Sequence, residues 1–209
     1  MRVAGVDIAE GSWLVLWMDD GVVVDWVMVD TLEGKLDDAD VVAIDIPLHL
    51  PENRIGRVAE EEARRLLGPR SSTVFSSLPV ELYRGEYTQE QRELARRRFG
   101  RSFSKQSWNI GWAVLDAARA KSTGWIETHP ELAFLELTGS PLPSKRFWPG
   151  VRRRIDALED AGVRVPELGG SVKTTDVLDA AVCAYVASRY ARGEARWVPE
   201  AAPDGRIWF

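Results

Sequence analysis

Residues 2–29, RVAGVDIAEGSWLVLWMDDGVVVDWVMV, hold three β-rich runs separated by two short polar breaks, and their reading decides the fold. Asp19-Asp20-Gly21 sits between two such runs and is a strong hairpin signal, because Asp-Gly tolerates the backbone that a tight reversal demands. Glu10-Gly11 turns the chain between the first and second runs. Three antiparallel strands are therefore expected first. Residues 31–40, TLEGKLDDAD, form a short polar link with helical character. The next run, VVAIDIPL at 41–48, is almost uniformly apolar and reads as a strand covered on both faces, expected parallel to the first.

Beyond Pro51 the strand signals stop. Helices are expected at about residues 54–67, 88–98 and 105–121, with an ordered loop rich in turn-formers between the first two. GWIETH at 124–129 reads as a fifth strand, followed by a helix opening at Pro130. Further helices are expected at about 149–161 and 176–191. The sum is βββαβ, a helical insertion at about 52–122, then a strand and helices: one α/β domain over 1–209 with a mixed five-stranded sheet.

The composition agrees with a globular chain, since 45% apolar residues over 209 can bury a real core. A net charge of −5 argues against a protein that coats nucleic acid, although a local basic groove on an acidic body is compatible with it. The single cysteine, Cys183, excludes an internal disulfide or a CxxC metal site and reads as inert packing. No run is apolar enough to span a membrane and the opening lacks signal-peptide character, so a cytoplasmic location is expected.

Acidic residues carry the chemistry. Asp7 in AGVDIA and Asp45 in VAIDIP stand at matching places in two strands expected to be neighbours, roughly 5 Å apart across the sheet. The helix in KTTDVLDAAVCAYVASRYARG (173–193) opens with Asp176 and Asp179. Asp176 suits an N-cap, but Asp179 lies on a helix that is apolar nearly all round, where an unpaired charge is costly. A neighbouring Arg or a divalent cation would account for it. Carboxylates without His or Cys clusters favour Mg²⁺ or Mn²⁺, with Asp7, Asp45, Asp176 and Asp179 as ligands and phosphodiester cleavage as the fitting reaction. In ETHPELAF, Glu131 is weighed equally as a helix-capping acid and as a catalytic group beside Asp7, Asp45 and Asp179, and His129 as a proton carrier.

The chain resembles a known family along nearly its whole length. The strand order with Asp7, Asp45 and DVLDAAVCA on the last helix is similar to the ribonuclease H-like fold, and that helix to the acidic helix of Holliday-junction resolvases. The closer resemblance is to the DUF429 family, described as predicted RNase H-like nucleases. It rests on GVD with a following GSW, VAIDIPLHLP, RSSTVFSSLP, SKQSWNI, ETHPELAF, TTDVLDAAVCAYVA and the terminal IWF. The resemblance implies a metal-dependent nuclease with nucleic acid, DNA or RNA, as substrate. It marks Arg70, Ser71, Ser72, Lys105 and Gln106 as substrate contacts, to which His129 is added. His49 after IDIP and the DIAEGSW loop depart from the family pattern and bear on substrate access.

Other residues are read more plainly. RRRFGRSFSKQSW (96–108) interleaves cations with aromatics as single-strand binders do, but a solvated helical face accounts for it better. Arg152 to Arg154 read as surface, and Trp13, Trp17 and Trp26 as core or sheet-face residues. Two other functions compete with the nuclease: a non-catalytic protein that keeps the fold for binding or regulation, and a phosphotransferase of the actin and sugar-kinase type. The second is disfavoured by one copy of the strand pattern and by Glu10 in the turn after the first strand.

Overall fold

The computed structural model describes residues 1–166 and 172–209. The three opening runs form an antiparallel meander: β1 (Arg2–Ala9), β2 (Ser12–Asp19) and β3 (Val22–Val29). Both turns place two consecutive residues at positive φ, Glu10 and Gly11 at 54° and 86°, Asp20 and Gly21 at 47° and 82°. That geometry matches the twist of the flanking strands, which is why Asp-Gly marks the second hairpin so well. β4 (Val41–Ile44) runs parallel to β1, and β5 (Trp125–Glu127) runs parallel to β4. The result is a mixed sheet of order β3-β2-β1-β4-β5, consistent with a ribonuclease H-like fold.

Local features depart from the expected pattern. Residues 31–40 make turns rather than a helix, because Gly34 has a φ of 67° and the acids are used elsewhere. Asp38 accepts from Trp17 Nε1 at 3.2 Å, and Asp40 accepts from the Arg2 amide at 3.0 Å. Between β4 and β5 come α1 (Val58–Leu67), which starts later than expected, a 3-10 turn over Gly68–Thr73, α2 (Val80–Arg84) and α3 (Gln89–Phe99). The helix expected at 105–121 is broken at Ile110 into α4 (Lys105–Asn109) and α5 (Gly111–Ala120). Gly111 opens α5 where a Cβ would lie 2.8 Å from the Tyr83 ring, so close packing on α2 selects a residue that also weakens the helix.

After β5 come α6 (Pro130–Thr138), α7 (Trp148–Asp160) and α8 (Thr174–Ala191). Two short strands that were not expected, β6 (Trp197–Val198) and β7 (Ile207–Trp208), pair antiparallel, with the Trp197 and Trp208 rings 5.0 Å apart. Two residues per strand are too few to show a period.

The sheet separates two apolar clusters. Val3, Leu14, Leu16, Met18, Val41, Ala43 and Ile126 pack with α6 and α8 on one face. Ala4, Val6, Trp13, Val15, Trp17, Val42 and Ile44 pack with the inserted helices on the other. Trp13 is fully buried and donates its indole N–H to Asp116 at 2.9 Å, which satisfies a polar group deep in the second cluster.

α8 lies directly on β1. A Cβ at Gly5 would fall 2.0 Å from the Ala180 carbonyl oxygen and 2.3 Å from the Ala184 nitrogen, so helix and strand backbones touch where both carry minimal side chains. Gly5→Val must push α8 off the sheet. It is expected to destabilise by about 3 kcal/mol or more, the upper end of overpacking costs, read as a lowered urea midpoint at unchanged slope. A midpoint equal to the wild type would refute this contact.

Candidate functional site

The strand period places the acids. Val3, Gly5 and Asp7 alternate onto the α8 face of β1, and Val41, Ala43 and Asp45 do the same on and just beyond β4. Gly5 is opposite Ala43 and Val6 opposite Ile44, and the Asp45 amide donates to the Val6 carbonyl at 3.1 Å. The two carboxylates therefore leave neighbouring strands side by side. Asp179 stands one residue before Ala180, whose carbonyl meets Gly5, so the same contact that seats α8 carries a third carboxylate over the strand ends.

Asp7 and Asp179 are buried, Asp45 is half-buried, and the three crowd one another. Burial raises the Asp7 pKa well above the ordinary carboxylate value, and the charges of Asp179 and Asp45 add to it. Burial lifts Asp45 to about 7 and Asp179 to about 6, in each case against the pull of Lys145. Lys145, from the connection between α6 and α7, donates its ammonium to Asp179 Oδ2. Its own burial works against the charge, but Asp179, Asp7 and Asp45 outweigh that and raise its pKa. Asp179 Oδ1 stays buried with no hydrogen-bond partner. Nothing in the sequence pattern had marked Lys145, which lies 34 residues from its partner.

Other acids beside the cluster already have cations. Glu131 accepts from Arg154 at 2.6 Å and from Arg70 at 3.2 Å; burial opposes its charge, yet the two guanidinium groups hold its pKa below the usual value. Arg154 thus overturns the surface reading of the 152–154 run. Three consecutive helical residues spread over most of the circumference, so one must face inward; Arg154 is fully buried, while Arg152 pairs with Asp156 at the exterior. Glu127, at the end of β5, is bound by the buried Arg57, which also holds Glu60 at 3.0 Å. The sequence reading missed Arg57 and Glu127, and no local pattern links residues 70 positions apart.

A cavity of about 610 Å³ opens over the cluster, lined by Asp45, Glu131, Lys145 and Asp179 together with Arg70, Ser72, Gln106 and His129. A second of about 280 Å³ shares Asp45, Phe75 and His129 with it and reaches Asp7. Of the expected substrate contacts, Arg70, Ser72, Gln106 and His129 reach this space, whereas Ser71 and Lys105 do not line it. Asp176 lines neither cavity. The helix begins two residues earlier than expected with Lys173 as its N-cap, which puts Asp176 in the first turn, accepting from the Thr175 hydroxyl at 3.0 Å. His129 is kept neutral by burial; its Nε2 is 3.4 Å from the Thr73 carbonyl, and its Nδ1 is buried without a partner.

The model of the family described as "Protein of unknown function (DUF429)" matches residues 5–204. The chain belongs to the DUF429 family. No curated protein and no solved structure matches this DUF429 chain. Its site is consequently read from its own geometry. The donor set, carboxylates only with one oxygen unpaired, suits a hard divalent cation. Among the described residues no three acidic, imidazole or thiol groups stand at metal-ligand spacing, and the Lys145 ammonium is the charge that meets Asp179. No helix of the described residues is long and apolar enough to cross a membrane.

The raised acids make stability depend on pH in a defined sense. At Asp45 the folded state holds more proton than the unfolded chain between the ordinary carboxylate value of 3.8 and about 7, so the stability this group contributes falls as pH rises through that window. Asp45→Asn removes one such group. In a chelator, its melting temperature is expected to exceed the wild type at pH ~8, with the gain shrinking towards pH ~4. A lower melting temperature at pH ~8 would contradict the electrostatic account.

Proposed function

We propose that this DUF429 protein hydrolyses phosphodiester bonds with a divalent cation, Mg²⁺ or Mn²⁺, held by Asp7, Asp45 and Asp179. One observation carries the reading: the buried Asp7 and Asp179 and the half-buried Asp45 lie close enough to repel one another, a single ammonium meets Asp179, and Asp179 Oδ1 has no partner. Like charges buried together need positive charge, and oxygen-only donors select hard cations. Bound there, such a cation would supply Lewis acidity for a phosphoryl oxygen and for the charge that develops on the leaving oxygen.

The chain's own residues divide the remaining work. Lys145, once it leaves Asp179, donates to a non-bridging phosphate oxygen. Arg70 keeps one edge on Glu131 and lines the cavity, so its guanidinium charge stands where a phosphate would enter. Ser72 and Gln106 add neutral donors on the same wall. His129, which lines both cavities and whose pKa burial lowers, is the imidazole placed to take the proton of the attacking water. Glu131, held ionised by two arginines, acts by positioning Arg70 rather than by exchanging a proton. Nucleic acid, DNA or RNA, is the substrate class this reading takes.

A second reading, a binding protein without catalysis, draws on the same Lys145, because a protein ammonium already meets the acids. Calorimetry with Mn²⁺ near neutral pH separates them. Binding is expected in the wild type and lost in Asp7→Asn and Asp179→Asn while both remain folded. Lys145→Met is expected to bind about tenfold more tightly or better, since a like charge a few ångströms away is removed. Binding retained in Asp7→Asn would sink the ligand set; Mn²⁺ binding without hydrolysis of single strand, duplex or bis(p-nitrophenyl) phosphate would favour the second reading.

A further inference from the structure

The connection into α7 carries a feature that the acid cluster does not use. Phe147 and Trp148 are 69% and 68% exposed, the two most exposed large apolar side chains among the described residues. They follow directly on Lys145 and Arg146, which line the larger cavity. Phe75, 42% exposed, lines that cavity and the smaller one. Arg64 holds the backbone on either side of it, donating to the Val74 carbonyl at 3.1 Å and the Ser76 hydroxyl at 3.0 Å.

The exposed aromatics are not on slack chain. Arg154 donates to the carbonyls of Pro143 and Gly150, each at 2.9 Å, and so clips both ends of the segment. The amides of Phe147 and Gly150 close turns onto Ser144 and Phe147. A Cβ at Gly150 would fall 2.1 Å from the Ser144 carbonyl oxygen, which requires glycine for the tight fold-back. Large aromatic rings held in water by a braced turn, directly after two cations that line a polar cavity, form a preorganised surface.

We infer that Phe147 and Trp148, together with the adjoining Lys145 and Arg146 and with Phe75 on the cavity wall, form a stacking platform that delivers single-stranded nucleic acid to the acid cluster. Bases of a single strand have both faces free to stack on such rings, and flanking cations follow the phosphates. A duplex keeps its bases stacked on each other and offers the rings nothing comparable. The occupant is thus defined by the alternation of aromatic and cationic groups, which an apolar protein partner would not need.

This inference deepens the phosphodiesterase reading and rests on it for the fate of the strand, but its test reads binding separately. Fluorescence anisotropy with a labelled oligothymidylate of about 12 nucleotides and a matched duplex, in Mn²⁺ and in chelator, measures the wild type and the Phe147→Ala/Trp148→Ala double variant. The wild type is expected to prefer the single strand, and the double variant to bind it about tenfold or more weakly with an unchanged melting temperature. No binding by the wild type in either buffer, tighter duplex binding, or equal binding by the double variant would overturn the platform. Hydrolysis of bis(p-nitrophenyl) phosphate, too small to need the rings, reports the chemistry independently. Selective strand binding without that hydrolysis keeps the platform and removes the phosphodiesterase.

Discussion

The contact of Gly5 with Ala180 and Ala184 is the constraint from which the rest of the molecule follows. Helix and strand backbones approach so closely there that no Cβ fits on the strand. That approach fixes the height and rotation of α8 over the sheet. Because Asp179 adjoins Ala180 and Asp7 is two residues beyond Gly5, the same contact brings their carboxylates together, with Asp45 alongside on β4. Packing at small residues therefore sets the electrostatics a few ångströms away. The helix cannot shift to relieve the crowding without losing its seat.

Burial divides the acidic residues of this region into two kinds. Glu131, Glu127 and Glu60 are each matched by arginine, and Arg57 and Arg154 are buried almost completely to do so. Such pairs satisfy one another and hold elements together across long stretches of chain. Asp7, Asp45 and Asp179 have one lysine among them and raised pKa values. An arrangement that neutralises three glutamates with rigid guanidinium groups and leaves three aspartates under-compensated is a local violation of good packing, of the sort that proteins keep where they act.

The braced turn before α7 links the two kinds. Arg154 binds Glu131 with one nitrogen and clips the Pro143 and Gly150 carbonyls with another. A single buried side chain thus holds the wall of the cavity and carries the segment bearing Lys145, Phe147 and Trp148. The position of the cation beside Asp179 and the presentation of the exposed rings depend on one residue that shows no surface at all.

Strand alternation, Asp-Gly turn chemistry and the all-round apolar last helix are local signals, and they suffice to read the meander, the parallel fourth and fifth strands, and the matching places of Asp7 and Asp45 on neighbouring strands. The sequence by itself determined that much because each signal is a repeat or a turn within a few residues. Tertiary structure alone decided which charges meet: Lys145 with Asp179, Arg154 with Glu131, and Arg57 with Glu127. Those choices depend on which face of a helix turns inward and on contacts across tens of residues. A charge written in sequence has no partner until packing supplies one, and a run such as Arg152 to Arg154 looks the same whether it meets water or the core.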